Sequence, residues 1–157
     1  LQGIPAIYIH SLLATPNDRD RVLHTGHFRS INRHIWSLPE LEQVLATPSH
    51  HRRIFDALRR LLTIRRAQPA FHPDAPQHAL HAGETLFAVR RESQDRRQSL
   101  YAIGNVTDHS QPLSLAALDL GSAGPWTDLI SGQVFPDPLA AVSLSPYQCL
   151  WLSQHPT

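Results

Sequence analysis

Hydrophobic and polar positions divide the chain into contrasting regions. Residues 3–9 (Gly-Ile-Pro-Ala-Ile-Tyr-Ile) are apolar on both phases of a two-residue alternation, which predicts a parallel strand buried on both faces. Pro5 fits there only near the strand start or where no ladder N–H is required. From Ala14 to Arg33 the chain turns polar, rich in Thr, Asn, Asp, His and Arg, without a sustained helical period. It reads as a long loop, and long loops in compact domains often carry function.

Helical patterns follow. Ser37-Leu38-Pro39-Glu40 is a capping box with proline in the first turn, opening a short helix through Leu41, Val44 and Leu45 that Thr47-Pro48 stops. Ser49 caps a second helix in which Ile54, Leu58, Leu61, Leu62 and Arg65 recur at spacings of three and four, ending before Gln68-Pro69. The opposite face carries Arg52, Arg53, Arg59, Arg60 and Arg66 and reads as solvated. Beyond Phe71 the helical period disappears into a connector containing Pro73, Pro76 and several His. Strands are expected at 86–90, 99–106, 113–115, 126–129 and 142–152. Turns at Thr107-Asp108, Gly121-Ser122, Ser131-Gly132 and Pro136-Asp137-Pro138 separate them. This predicts a small antiparallel sandwich, with Tyr147, Cys149 and Trp151 sharing its core face.

Composition narrows the classes. A length of 157 residues with 41% hydrophobic content can bury a core. The formal charge of +1 lacks the concentrated cationic excess of a nucleic-acid binder. No apolar run approaches the roughly 18 to 20 residues that span a bilayer. Cys149 is the sole cysteine, so an internal disulfide is excluded and a reducing, cytoplasmic compartment fits best.

The 11 histidines lack the spacing of a zinc site, and no metal or cofactor is expected. No Gly-x-Ser-x-Gly elbow marks a nucleophile. Gly121-Ser122-Ala123-Gly124 lacks the lysine of a phosphate loop and reads as a turn. The remaining constellation is Asn17, Asp18, Arg29, Asn32, Arg33 and His34. Arginine forks beside amides and carboxylates suit adjacent sugar hydroxyls. From spacing alone the simpler reading is that Arg29 and Arg33 pair with Asp18, Asp20 or helix carboxylates and pin the loop.

Gly3-Ile4-Pro5-Ala6-Ile7-Tyr8, Ser11-Leu12-Leu13, Asn17-Asp18, Thr25-Gly26 and Arg29-x-Ile31-Asn32-Arg33-His34 together resemble the sucrose phosphorylase subfamily of the α-amylase-type glycoside hydrolases. Residues 65–71 resemble the end of that family's last barrel helix. Asn105-Val106-Thr107, residues 126–132 and residues 144–152 resemble its C-terminal β domain.

The resemblance implies an α+β piece: the last strand and helices of a (β/α)8 barrel at 1–77, then an antiparallel β-sandwich-like domain at 78–157. It implies a retaining double displacement in which inorganic phosphate is the cosubstrate. The family's catalytic carboxylates lie on earlier segments, so the chain alone is expected to be inactive. Arg29 first, and Arg33 second, are implied to line the donor-sugar subsite, with Asn17 and Asp18 shaping its wall. The substrate class spans sucrose, glucosylglycerate and related glucosides, and His10-Ser11-Leu12-Leu13 with the surroundings of Trp36 lean to the glucosylglycerate branch.

A hydrolase or transglucosidase of the same family is an alternative. So is a noncatalytic β module for carbohydrate binding or packing, although Trp36, Trp126 and Trp151 are too dispersed to show a stacking platform. Residues 1–13, without barrel neighbours, are expected to be disordered, rearranged onto another part of the chain, or paired with the missing barrel portion or a second molecule.

Overall fold

The computed structural model describes residues 1–118, 120 and 125–154. The expected turns at Gly121–Gly124 lie outside the described residues. The chain forms two compact units: Pro5–Thr63, and Leu1–Ile4 together with Ile64–Thr157.

The first unit is helical, with α1 (Ile9–Leu12), α2 (Arg19–Thr25), α3 (Leu38–Ala46) and the start of α4 (His50–Arg66). Residues 3–8 form no strand, contrary to the alternation pattern. No neighbouring strand is present among the described residues to receive their backbone groups, and the carbonyls of Tyr8 and Ile9 instead start α1 by accepting from Leu12 and Leu13 N–H at 3.1 and 3.0 Å. Residues 1–4 belong to the second unit, where Gly3 N–H donates to Pro73 O at 3.1 Å and Gln2 N–H to Gln77 Oε1 at 2.7 Å.

The polar stretch 14–33 is also not a simple loop, since it holds α2 and a 3-10 turn at Phe28–Asn32. Its helix rests on caps and not on an apolar period: the Asp18 carboxylate accepts from Arg21 N–H at 2.9 Å, and Gly26 ends it in the left-handed region at φ 67°. α3 begins with the expected capping box, both of whose hydrogen bonds form between Ser37 and Glu40. Ser49 Oγ accepts from Arg52 N–H at 3.0 Å at the start of α4.

The second unit is built on a six-stranded antiparallel sheet. Its strands are β1 (Gln77–Leu80), β2 (Leu86–Glu92), β3 (Ser99–Asn105), β5 (Trp126–Asp128), β6 (Val134–Phe135) and β8 (Cys149–Ser153), in the order β1-β2-β3-β8-β5-β6. A separate pair, β4 (Gln111–Ser114) and β7 (Ala141–Leu144), contributes Leu113 and Leu144 to the same core as Leu86, Tyr101, Ile103, Trp126, Leu150 and Leu152. A smaller cluster joins Ala70, Phe71 and Leu100, with Trp151 packed against it.

The predicted strand at 142–152 is broken in two. Residues 145–148 turn through Pro146 and a left-handed Tyr147 at φ 56°, while Asn105 Nδ2 donates to the carbonyls of Leu144 and Ser145 at 3.3 and 2.9 Å. The core face of β8 is consequently Leu150 and Leu152; Tyr147 and Cys149 are exposed and Trp151 is half-buried. β1 and β6 were not legible as strands, being short and without apolar alternation.

The sequence segments that carry the resemblance hold this unit's turns. Asn105, 3% exposed, uses both ends of its amide, because Oδ1 also accepts from Thr107 N–H at 2.9 Å. Asp128, 1% exposed, accepts from Trp151 N–H at 2.8 Å, Ser131 N–H at 3.0 Å and Ser131 O–H at 2.6 Å, tying β8 to the turn after β5.

Candidate functional site

Residues 17–34 are folded back on themselves by local hydrogen bonds. Asp18 N–H donates to Ile31 O at 2.6 Å, Thr25 O–H donates to Ser30 Oγ at 3.0 Å, and Tyr8 O–H reaches Asn32 O at 2.8 Å. The turn at Gly26 is possible because glycine accepts a left-handed φ without a Cβ clash. It sends the chain from α2 into the 3-10 turn that carries Arg29, with Arg33 immediately after it.

Arg29 and Arg33 line one concavity of about 560 Å³ together with Gly26, His27, Phe28 and Ser30. Both arginines are exposed, and among the described residues neither takes part in an ion pair. The loop-pinning pairs that spacing permitted are therefore not formed. Asp18 is occupied elsewhere, as the cap of α2 and as a neighbour of His34.

Asn17 and Asp18 line a different concavity of about 390 Å³, with Pro16, Arg19, Asp20 and His34. The four candidate residues are thus placed two and two, and not around a single cavity.

His34 is the residue whose part the spacing did not reveal. Its Nδ1 lies 3.7 Å from Asp18 Oδ2 and its Nε2 lies 3.6 Å from Glu40 Oε1, so one imidazole stands between the carboxylates that open α2 and α3. Its ring meets Trp36 edge-on at 4.7 Å, and Trp36 meets His51 at 5.2 Å. Trp36 Nε1–H donates to Thr15 Oγ1 at 2.9 Å, and His51 Nδ1 lies 2.7 Å from Leu13 O. The Asn-Arg-His run contained the signal, but only the folded backbone brings Asp18 and Glu40 to the ring.

Chemically, exposed guanidiniums beside an aromatic ring can bind hydroxyls or anions, but binding is not bond cleavage. Among the described residues no group of three or more His, Cys, Asp or Glu side chains is gathered to hold a metal ion. No helix there is long and apolar enough to cross a membrane.

No family model matches the chain. Individual proteins do. The glucosylglycerate phosphorylase of Allomeiothermus silvanus is 40% identical over 153 residues, covering 97% of this chain and 24% of the relative. The glucosylglycerate phosphorylase of Escherichia coli is 28% identical, covering 96% and 25%. The sucrose phosphorylase of Streptococcus mutans is 29% identical, covering 68% and 21%. Among solved structures, AmyP in complex with maltose aligns with a TM-score of 0.58 at 25% identity, over 66% of this chain and 20% of that one. The chain spans about a quarter of the length of the curated relatives it matches. On these alignments the chain is similar over nearly its whole length to glucosylglycerate phosphorylases, and over about two thirds of it to a sucrose phosphorylase, in agreement with the resemblance to the sucrose phosphorylase subfamily of the α-amylase-type enzymes.

Proposed function

We propose that the chain is the C-terminal part of a retaining glucoside phosphorylase, and that the whole protein transfers a glucosyl group from a glucoside to inorganic phosphate. The observation that carries this reading is the 40% identity to a glucosylglycerate phosphorylase across 97% of the chain. Glucosylglycerate is the favoured donor, in keeping with the lean of residues 10–13 and the surroundings of Trp36. Residues 1–77 would complete the barrel and residues 78–157 would form the β domain, in a cytoplasmic enzyme without a cofactor.

In such an enzyme a carboxylate attacks the anomeric carbon while a carboxylic acid protonates the leaving oxygen, and phosphate then takes the glucosyl group with net retention. Those carboxylates belong to earlier segments of the family, so this chain is inactive by itself. Its contribution is positional. Arg29 donates N–H groups to donor-sugar hydroxyls and Arg33 is second to it, while Asn17 and Asp18, which line a separate concavity, brace the segment that carries the arginines through the Asp18 N–H to Ile31 O hydrogen bond. The absence of ion pairs at both arginines supports this, since their donors are available to a ligand. Exposed apolar side chains in residues 4–9 would be covered by the remaining barrel portion or, in the isolated chain, by a second copy.

The test is phosphate-dependent release of glucose 1-phosphate from glucosylglycerate, sucrose and glucosylglycerol, by the longer protein and by this chain. The longer protein should be active and the chain silent; activity in the chain would overturn the assignment of chemistry to absent residues. Arg29→Ala in the longer protein should lower kcat/KM about 100-fold, the scale of a lost charged hydrogen bond to substrate. Unchanged kinetics would remove Arg29 from the site. The likeness to AmyP favours one second reading, an amylase-type hydrolase or transglucosidase, which glucose release without phosphate would identify.

A further inference from the structure

Arg91 carries a charge that the described residues leave uncompensated. It lies on β2 opposite Gln77 of β1, and it is fully buried, at 0% exposure. Nη2–H donates to His72 O at 2.6 Å, but Nε and Nη1 have no hydrogen-bond partner. Those two nitrogens carry three N–H donors between them. No carboxylate pairs with Arg91 among the described residues.

The charges that do act on it have its own sign. Burial first, and then Arg65, push the Arg91 pKa down from the ordinary arginine value. The Arg65 guanidinium sits over the Phe71 ring, 5.3 Å from its centroid, which fixes it in place without neutralising it. A guanidinium does not escape by losing its proton, and a buried charge with open donors is strongly unfavourable.

The segment lying on this unit is weakly built. Leu1–Ile4 is held by the Gly3 to Pro73 and Gln2 to Gln77 hydrogen bonds, while the Leu1 and Ile4 side chains stay 74% and 85% exposed. It brings no negative charge. A buried cation with open donors is expected to be met by a negative charge.

We propose that Arg91 is the seat for a carboxylate side chain supplied by the barrel portion of the longer protein, and that this ion pair fastens the strand unit to that portion. This rests on reading the chain as part of a longer phosphorylase-like protein. Arg91 is a docking residue here, apart from the Arg29 and Arg33 concavity.

Replacing Arg91 with methionine tests the proposal through the sign of its effect. In the 157-residue chain, Arg91→Met removes an unpaired buried charge, so Tm should stay level or rise. In the longer protein it strands a buried carboxylate, so Tm should fall by about 5 °C or more. A shift in the same direction in both proteins overturns the proposal. Should the variant not fold, exchange of the Arg91 Nε–H in the unmodified proteins decides: slowing of about 10-fold or more in the longer protein is expected for a hydrogen bond to carboxylate. Equal exchange in both overturns it. Inorganic phosphate that raises the Tm of the short chain but not of its Arg91→Met variant would assign the seat to a free anion, which also overturns the carboxylate. Phosphorolysis is scored separately: its loss from the unmodified longer protein counts against the proposed function, while the paired Tm measurements still judge the seat.

Discussion

The helical unit, Pro5–Thr63, and the strand unit solve different problems. In the strand unit Leu100, Leu115 and Leu152 are 0% exposed and Trp126 is 1% exposed, and strands distant in sequence close over one another. In the helical unit Leu13 is the one buried residue among those described, while Leu23, Phe28, Ile35 and Leu38 stand 81, 86, 69 and 67% exposed. Its helices are shaped by caps: Asp18, Ser37 with Glu40, and Ser49. A cap contributes about 0.5–2 kcal/mol, whereas burying one large apolar side chain contributes about 1.5–3 kcal/mol. Local hydrogen bonds can therefore specify where a helix begins without making the unit stable. The strand unit carries its own core, and the helical unit presents apolar surface that needs something to cover it.

The largest blow to this contrast should come from Leu152→Ala. Truncating a fully buried side chain at the centre of the sheet should cost the strand unit about 2–5 kcal/mol by chemical denaturation, while Leu23→Ala should change stability by less than about 0.5 kcal/mol. Comparable losses at both positions would mean that the helical unit has a core after all.

Asp128→Ala should come next, at about 3 kcal/mol, because it leaves the Trp151 and Ser131 donors without their acceptor. Amide exchange at Trp151 would show the lost protection directly. Ser37→Ala should cost about 1 kcal/mol, confined to α3, and a helical signal unchanged on thermal scanning would show that the cap matters less than argued.

The smallest effect concerns acid. The Ser93 hydroxyl, followed by the Arg97 backbone N–H, holds the Asp95 carboxyl below its ordinary range. A lowered native pKa adds stability above the unfolded value, near 4, that disappears as pH falls through the native value. Asp95→Asn should therefore flatten the acid limb of the strand unit's stability profile slightly and leave neutral pH almost unchanged. An unaltered acid limb would remove Asp95 from it.

Legibility followed the range of the interactions. The α3 capping box and the Ser49 cap are written within four residues, and both formed as read. β2 and β3 are also recognisable, because each carries a four-residue apolar run, Leu86–Val89 and Leu100–Ile103, most of which the sheet buries. Capping also specifies α2, but its signals, Asp18 and Gly26, lie in a stretch without apolar periodicity, where the same residues suit a loop equally well. The phase of β8 depended on Asn105, more than 35 residues away, capturing the carbonyls that end β7. At the candidate site, Arg29 and Arg33 could be singled out by type and motif, whereas their separation from Asn17 and Asp18 into another concavity could not.

By itself the sequence pointed to the family and determined the starts of α3 and α4, the strand-rich second half and the exclusion of a disulfide within these residues, because these depend on residue type, short spacing and long similarity. Only the tertiary structure decided that residues 3–8 form no strand, that Asp18 and Glu40 flank His34, and that Arg91 is buried without a countercharge. A strand needs a neighbour for its backbone groups, and an ion pair needs a partner brought close by the fold.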